Sequence, residues 1–195
     1  MKNIYLLYSA LFLILLFLFP QAAVSSEDSY SLNIYGAKMT GNNWEEIVTE
    51  SDKLDFIDSK MIVVALAKRL GPYQPRLNYE IEGQIVKHFS IQDHWEFNAL
   101  GVLRWEPFWW DRFIETSAAF GLGASYATDL PEAEVNIEGD SQRWMAYWMM
   151  EVALSHPQAP NIALITRIHH RSEVFGLIAD EGGSNSLAVG LKINF

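Results

Sequence analysis

The chain has 195 residues, a formal net charge of −10 and 50% hydrophobic residues, and it contains no cysteine. This length is typical of one domain, and so high an apolar content excludes a disordered chain. The acidic balance, without a basic stripe, argues against nucleic-acid binding. The lack of cysteine excludes a disulfide framework, a thiol nucleophile and a cysteine-ligated zinc site.

Residues 1–25 have the pattern of a signal peptide. Lys2 precedes an uncharged run from Tyr5 to Phe19, and small residues follow. A membrane anchor is the alternative, but a run of about fifteen residues is short for a bilayer, which takes roughly 20. We therefore expect a cleaved signal peptide over 1–25 and a single domain over 26–195.

Hydrophobicity alternates with a period of two through most of the remaining chain. In the last segment, Leu187 and Val189 share one strand face, whereas Gly190 and Lys192 share the other. The second segment is the weakest, because 61–66 is apolar on both faces. The pattern predicts eight strands, at 29–38, 60–70, 76–89, 94–105, 112–127, 142–156, 161–172 and 186–195. The charged stretch at 45–60 is interpreted as a solvated loop with a helical turn.

The polar face of these strands contains Glu, Asn, Gln, Arg and Gly, while the other face carries large apolar side chains. Apolar outside and polar inside is typical of an outer-membrane barrel, so we predict an all-β, eight-stranded antiparallel transmembrane β-barrel. A soluble lipocalin-like barrel with an apolar interior is the alternative. Because so narrow a barrel is filled by side chains, we expect an interior hydrogen-bonded plug of Glu80, Glu82, Glu96, Arg104, Glu115, Glu151, Arg167 and Lys192.

The predicted connections fit the same architecture. Mostly longer loops, at 39–59, 90–93, 128–141 and 173–185, alternate with short turns at 71–75, 106–111 and 157–160. Aromatic residues at strand ends, such as Trp105 and Phe108, indicate an interfacial girdle. The terminal Phe195 resembles the signal by which barrel-assembly machinery recognises its substrates. These features predict the outer membrane of a Gram-negative bacterium.

A candidate nucleophile lies at the end of the seventh predicted strand. His170 and Ser172 are two residues apart on its outward face, about 6.5–7 Å apart at Cα. An imidazole beside a hydroxyl is the arrangement that activates a serine nucleophile. A polar strand end entering a loop is the alternative interpretation.

The stretch 168–172, the loop to Gly182–Asn185 and the closing strand resemble the lipid A 3-O-deacylase family (PagL type). That resemblance implies an eight-stranded outer-membrane barrel that hydrolyses the 3-linked hydroxyacyl ester of lipid A, the lipid of lipopolysaccharide. It also implies a Ser-His-Glu triad on the outer surface, with His170 and Ser172 as the first two members. No cofactor is implied, because an activated serine needs none.

The sequence departs from the family at two positions. Glu173 follows the serine where the family has an asparagine that is proposed to hold the oxyanion. The region of the family's catalytic Glu reads Ser184-Asn185-Ser186 here, so Asn185 faces outward near the expected place. Glu181, in the preceding loop, and Asn185 are the two candidates for the third member, and Glu181 is preferred.

The remaining polar residues have weaker predictions. Arg171 points inward, although near the rim it could contact a lipid phosphate. His169, beside Arg167, is expected to join the interior network. His88, His94 and His156 are interpreted as interfacial, since no metal-ligand spacing links them. The leading function is thus ester hydrolysis on lipid A, and the alternative is a non-catalytic barrel with a structural or lipopolysaccharide-binding role; the oligomeric state stays open.

Overall fold

A computed structural model describes residues 30–173 and 182–195. These residues form eight antiparallel strands that pair in chain order and close into a barrel, so the predicted fold class is confirmed. The strands are β1 (Tyr30–Thr40), β2 (Phe56–Gln74), β3 (Leu77–Ser90), β4 (Trp95–Trp105), β5 (Glu115–Ala127), β6 (Trp144–His156), β7 (Ala159–Ser172) and β8 (Gly183–Asn194). The predicted signal peptide, 1–25, lies outside the described residues.

All eight predicted strands are present, and β2 differs most from its prediction. It extends beyond 60–70 at both ends. Met61 and Val63 point into the barrel, whereas Ile62 and Val64 are exposed on the outer surface. The apolar run therefore supplies both an interior cluster and part of the outer surface, which is why its alternation is weak in the sequence.

The barrel closes between its first and last strands. The backbone N–H of Tyr30 donates to the carbonyl oxygen of Phe195 at 3.1 Å, and the N–H of Phe195 donates back at 2.9 Å. Since β1 pairs with both β2 and β8, the sheet has no free edge along these strands.

The two ends of the barrel differ in their connections. Residues 41–55, 91–94, 128–143 and 173–182 connect strands at what we call the loop end; 75–76, 106–114 and 157–158 do so at the turn end. Two short α-helices lie at the loop end, α1 (Trp44–Thr49) and α2 (Glu132–Glu138), and a 3₁₀ helix at Ser51–Lys53 follows α1. The helical turn predicted within 45–60 is thus confirmed as part of α1, whereas α2 was not predicted. No helix among the described residues is long and apolar enough to cross a membrane.

An ion-paired network fills the interior. The guanidinium of Arg167 donates to both carboxylate oxygens of Glu82, at 2.6 and 2.9 Å, and also bonds Glu151. Arg104 pairs with Glu80 at 2.8 Å. Seven of the eight residues predicted for this plug are buried: Glu80, Glu82, Glu96, Arg104, Glu151, Arg167 and Lys192. The eighth, Glu115, is half-buried and accepts a hydrogen bond from Ser155.

The outer surface is apolar around the barrel. Exposed large side chains include Ile34, Ile62, Leu66, Ile81, Ile85, Phe97, Phe120, Leu122, Leu164 and Val189. A charged interior inside an apolar exterior is the reverse of a soluble barrel. The lipocalin-like alternative therefore does not fit this structure.

Candidate active site on the outer face

His170 and Ser172 lie on the outer face of β7, near the loop end, and both are half-buried. The residues between and before them, Arg171 and His169, point into the barrel and are each only 1% exposed. The predicted alternation of this segment is therefore confirmed. It separates two histidines that are adjacent in sequence.

The amide of Asn185 orients the His170 ring. These two residues face each other across β7 and β8, and Nδ1 of His170 lies 2.6 Å from Oδ1 of Asn185. The other amide atom, Nδ2, donates to the carbonyl oxygen of Asn42 at 3.1 Å, which fixes which way the amide points. Because Oδ1 can only accept, Nδ1 carries the proton and Nε2 keeps its lone pair. His170 is thus set up to take a proton at Nε2.

Ser172 lies one alternate position beyond His170 and pairs with Gly183 of β8. Gly183 has a φ of 155°, and a Cβ built on it would lie 2.9 Å from the carbonyl oxygen of Arg171. Glycine therefore allows the close approach of β8 at this point. The Ser172 hydroxyl donates to Oε2 of Glu173 at 3.4 Å, which brings a carboxylate beside the candidate nucleophile.

Aromatic rings form one wall of the site. The ring centroid of Trp148, on the neighbouring β6, is 4.4 Å from that of His170. Trp44, the first residue of α1, packs edge-on against Trp148 with centroids 5.7 Å apart and an interplanar angle of 89°. Ile47 of α1 is buried. The segment predicted as a solvated loop therefore packs against the outer face of the barrel.

Hydrogen bonds hold this segment in place. Oδ1 of Asn42 accepts from the Thr40 hydroxyl and from the backbone N–H of Asp55, both at 2.7 Å. Nδ2 of Asn42 donates to Glu46 at 3.1 Å, and Asn43 and Glu46 form a capping box at the start of α1. These bonds fix the Asn42 carbonyl that orients Asn185.

An apolar groove runs between α1 and the outer face of the barrel. It has a volume of about 620 Å³ and begins at Ile168, two residues before His170 on the same strand face. Its outward-facing and helical lining comprises Ile47, Val48, Leu77, Leu103, Trp105, Ala118, Phe120, Met150, Val152, Thr166, Ile168 and Leu187. Three further grooves on the described outer surface, of about 600, 470 and 440 Å³, are lined by strand residues without a helix.

One predicted site residue, Arg171, points away from His170, and another lies outside the described residues. The guanidinium of Arg171 is buried, where it bonds Glu134 of α2 at 2.8 Å and the hydroxyl of Ser125 at 3.0 Å. The expected contact of Arg171 with a lipid phosphate does not fit this interior position. Glu181 lies outside the described residues, so the preference for it as the third member stays a prediction.

His88 and His94 lie in the barrel interior, so their interpretation as interfacial residues is wrong. Their rings stack 4.3 Å apart beside Glu96, and both side chains are 3% exposed. Burial and the neighbouring His88 lower the pKa of His94, just before β4, to about 4. His169 joins the same interior region, as predicted, with Nε2 3.0 Å from Oε1 of Glu96. The sequence does indicate an interior position for His88, since it lies on the same face of its strand as Glu80 and Glu82.

No family model and no curated protein matches this sequence. Among solved structures, the outer membrane enzyme PagL is similar at a TM-score of 0.55 and 12% identity, covering 84% of this chain and 99% of that one. Neisserial surface protein A gives a TM-score of 0.51 at 11% identity, with 85% and 97% covered. A designed transmembrane β-barrel gives 0.50 at 9% identity, with 88% and 98% covered. At these identities the likeness establishes the fold, that of the small outer-membrane β-barrels.

Proposed function

We propose that this protein is an outer-membrane esterase that removes an ester-linked acyl chain from lipid A, with Ser172 as nucleophile and His170 as general base. The observation that carries this proposal is the 2.6 Å contact between Nδ1 of His170 and Oδ1 of Asn185, on the same outward face as Ser172. An imidazole oriented through one nitrogen, with the other available, is what a serine nucleophile requires.

The proposed reaction passes through an acyl-enzyme. Nε2 of His170 takes the proton of the Ser172 hydroxyl while Oγ attacks the ester carbonyl carbon. The tetrahedral intermediate expels the sugar oxygen, which receives the proton from Nε2. Water then attacks the acyl-Ser172 ester with the same base, releasing the fatty acid and the free serine. Throughout, Asn185 holds the Nδ1 proton, and so fixes the ring's tautomer and angle.

The groove beside α1 supports a lipid substrate. It begins at Ile168, directly below His170 on the outer face, and its lining is mostly apolar. An acyl chain lying in it would contact Ile47 and Val48 of α1 on one side. Its ester would then reach the level of Ser172, where acyl chains meet head groups if the loop end faces outward. The other three grooves lie without such a helix beside them.

The test is mass spectrometry of lipid A from cells with and without the protein. We expect the unmodified protein to remove one acyl chain and Ser172→Ala to remove none while still folding into a β-barrel, as circular dichroism in detergent would show. If lipid A is identical with and without the unmodified barrel, the esterase proposal is wrong.

A non-catalytic, lipopolysaccharide-binding barrel is the second candidate, and Glu173 favours it. Its Oε2 lies 3.4 Å from the Ser172 oxygen, and a carboxylate there opposes the negative charge that develops in ester hydrolysis. Glu173→Asn, which restores the residue that the family resemblance implies, separates the two. An esterase should become faster with this change, whereas a binding protein should leave lipid A intact in both forms.

A further inference from the structure

Three side chains of metal-ligand type converge inside the barrel near the loop end. They are His88, His94 and Glu96, which are 3%, 3% and 0% exposed. One donor atom from each lies within 4.8 Å of the other two. None of them belongs to the outer-face site around His170.

The β3–β4 hairpin brings these residues together. The backbone N–H of His88 donates to the carbonyl oxygen of His94 at 3.0 Å, so the two residues face each other across the hairpin. Both side chains point inward, and Glu96 follows two residues after His94 on the same face. Side chains that are opposite or two apart on one face are neighbours in a sheet. The cluster is therefore built by one local element.

One nitrogen of the cluster has no partner among the described residues. Nε2 of His94 is buried and makes no hydrogen bond to any of them. Buried polar atoms are nearly always satisfied, and leaving one unsatisfied is unfavourable. By contrast, Nε2 of His88 lies 2.8 Å from Oε2 of Glu96. A buried ring nitrogen without a partner among the described residues, beside an imidazole–carboxylate pair, is the arrangement that a cation would complete.

Further hydrogen bonds support the prospective ligands. The second carboxylate oxygen of Glu96 lies 3.0 Å from Nε2 of His169, whose Nδ1 lies 3.1 Å from the Tyr147 hydroxyl. The contact with His169 holds the Glu96 carboxylate in position, as outer partners do for metal ligands. Nε2 of Gln92 lies 3.1 Å from Nδ1 of His88 and donates to it, so this amide has to turn if His88 binds through Nε2.

We propose that His88, His94 and Glu96 bind a divalent transition-metal cation of the zinc type inside the barrel. Two imidazoles and one carboxylate are a common Zn²⁺ ligand set, and they leave a fourth position for solvent. The His88 and His94 rings are stacked with an interplanar angle of 15°, so one ring has to turn for both lone pairs to converge. His94 can turn because Nε2 gives up no hydrogen bond to a described residue. For the cation to bind Nε2 of His88, the ring proton that lies between His88 and Glu96 moves to Nδ1 of the same ring, and the Gln92 amide turns so that its oxygen accepts that proton.

The experiment titrates Zn²⁺ into the chain refolded in detergent, without a histidine tag and after chelator treatment. Isothermal calorimetry should give one site per chain, and Co²⁺ should give the visible absorption of a tetrahedral ion. The melting temperature should rise with Zn²⁺ because the ion binds only the folded barrel.

His94→Phe is the decisive variant. Phenylalanine keeps a ring stacked on His88 but has no nitrogen, so the barrel should fold while Zn²⁺ affinity falls by more than about 100-fold, beyond the loss of an outer-shell partner. His156→Phe makes the same change at the exposed end of β6 and should leave Zn²⁺ affinity unaltered. Equal affinities for the unmodified chain and His94→Phe would overturn the proposal. So would a Co²⁺ complex of the unmodified chain without tetrahedral absorption, which needs no variant to fold.

Discussion

His169 and His170 are neighbours in β7, but they contact chemically different groups. Inside the barrel, His169 lies between the Tyr147 hydroxyl and the Glu96 carboxylate, which engage both of its ring nitrogens. On the outer face, His170 contacts the neutral amide of Asn185 through Nδ1 and packs against Trp148. An imidazole with both nitrogens engaged is suited to structure. One engaged through a single nitrogen is suited to proton transfer.

The same substitution at both positions gives the sharpest test of this difference. We expect His170→Gln to lower ester hydrolysis by roughly 10³-fold or more, because the general base is lost. His169→Gln should retain hydrolysis but destabilise the barrel by about 1–3 kcal/mol, since buried partners lose a hydrogen bond. Lipid A deacylation and urea unfolding in detergent measure the two effects. If His169→Gln abolished deacylation in a fully stable barrel, the division of roles would be incorrect.

The stability of the barrel should also fall more when a charged side chain is lost from the interior than when one is lost from the surface. Arg167→Met leaves Glu82 without its ion-pair partner and Glu151 with Arg104 alone, which should destabilise the barrel by about 3–5 kcal/mol. Arg143→Met removes an exposed pair with Asp129, 3.8 Å apart, and should change stability by less than about 1 kcal/mol. The urea midpoints of the two variants give the comparison. Similar midpoints would mean that water reaches the interior network.

In the candidate site on the outer face, an amide rather than a carboxylate orients the histidine. Asn185→Ala should lower kcat by roughly 100-fold, because the His170 ring loses the contact that fixes its tautomer. KM should stay unchanged if Asn185 acts as a positioning residue that does not touch the substrate. A kinetic assay with a soluble acyl ester in detergent separates the two constants. A rise in KM with constant kcat would assign Asn185 to substrate binding instead.

The smallest expected effect concerns the helix beside the groove. Trp44→Ala removes the edge-on contact with Trp148 and should raise KM by up to about tenfold, since an aromatic pair contributes about 0.5–1.5 kcal/mol. Trp109→Ala, at the turn end, removes a ring that is 83% exposed and should leave KM unaltered. Equal KM values for the two variants would show that α1 does not hold the substrate.

The sequence predicted the barrel well because alternation along a strand is a local property. It placed His170 and Ser172 outside and Arg167 and His169 inside from parity alone. The prediction failed where a residue's closeness to a strand end was given more weight than the alternation of the two strand faces. Their place near strand ends predicts that His88 and His94 are interfacial, although His88 shares its strand face with Glu82 and the same alternation accounts for the burial of both histidines.

The contacts of the connecting segments could not be predicted in this way. Trp44 meets Trp148, and the carbonyl of Asn42 meets Asn185, only after the barrel has closed. These pairs are far apart in sequence and leave no periodic pattern. Arg171 likewise bonds Glu134 of a helix that the sequence did not indicate. Alternation along a strand therefore predicts whether a residue faces the inside or the outside of the barrel. Its partners at the loop end depend on the conformation of the loops.

The pairing of Tyr30 with Phe195 also bears on how the chain reaches this structure. Seven of the strand pairs join neighbours in sequence, so each can form as a hairpin of low contact order. The eighth joins the two ends of the domain and carries the largest loop-closure entropy. Because β1 and β8 are the first and last strands of the barrel, this pairing needs both ends of the domain to come together. Until then β1 presents an unpaired edge, which makes the interval before closure the stage most exposed to aggregation.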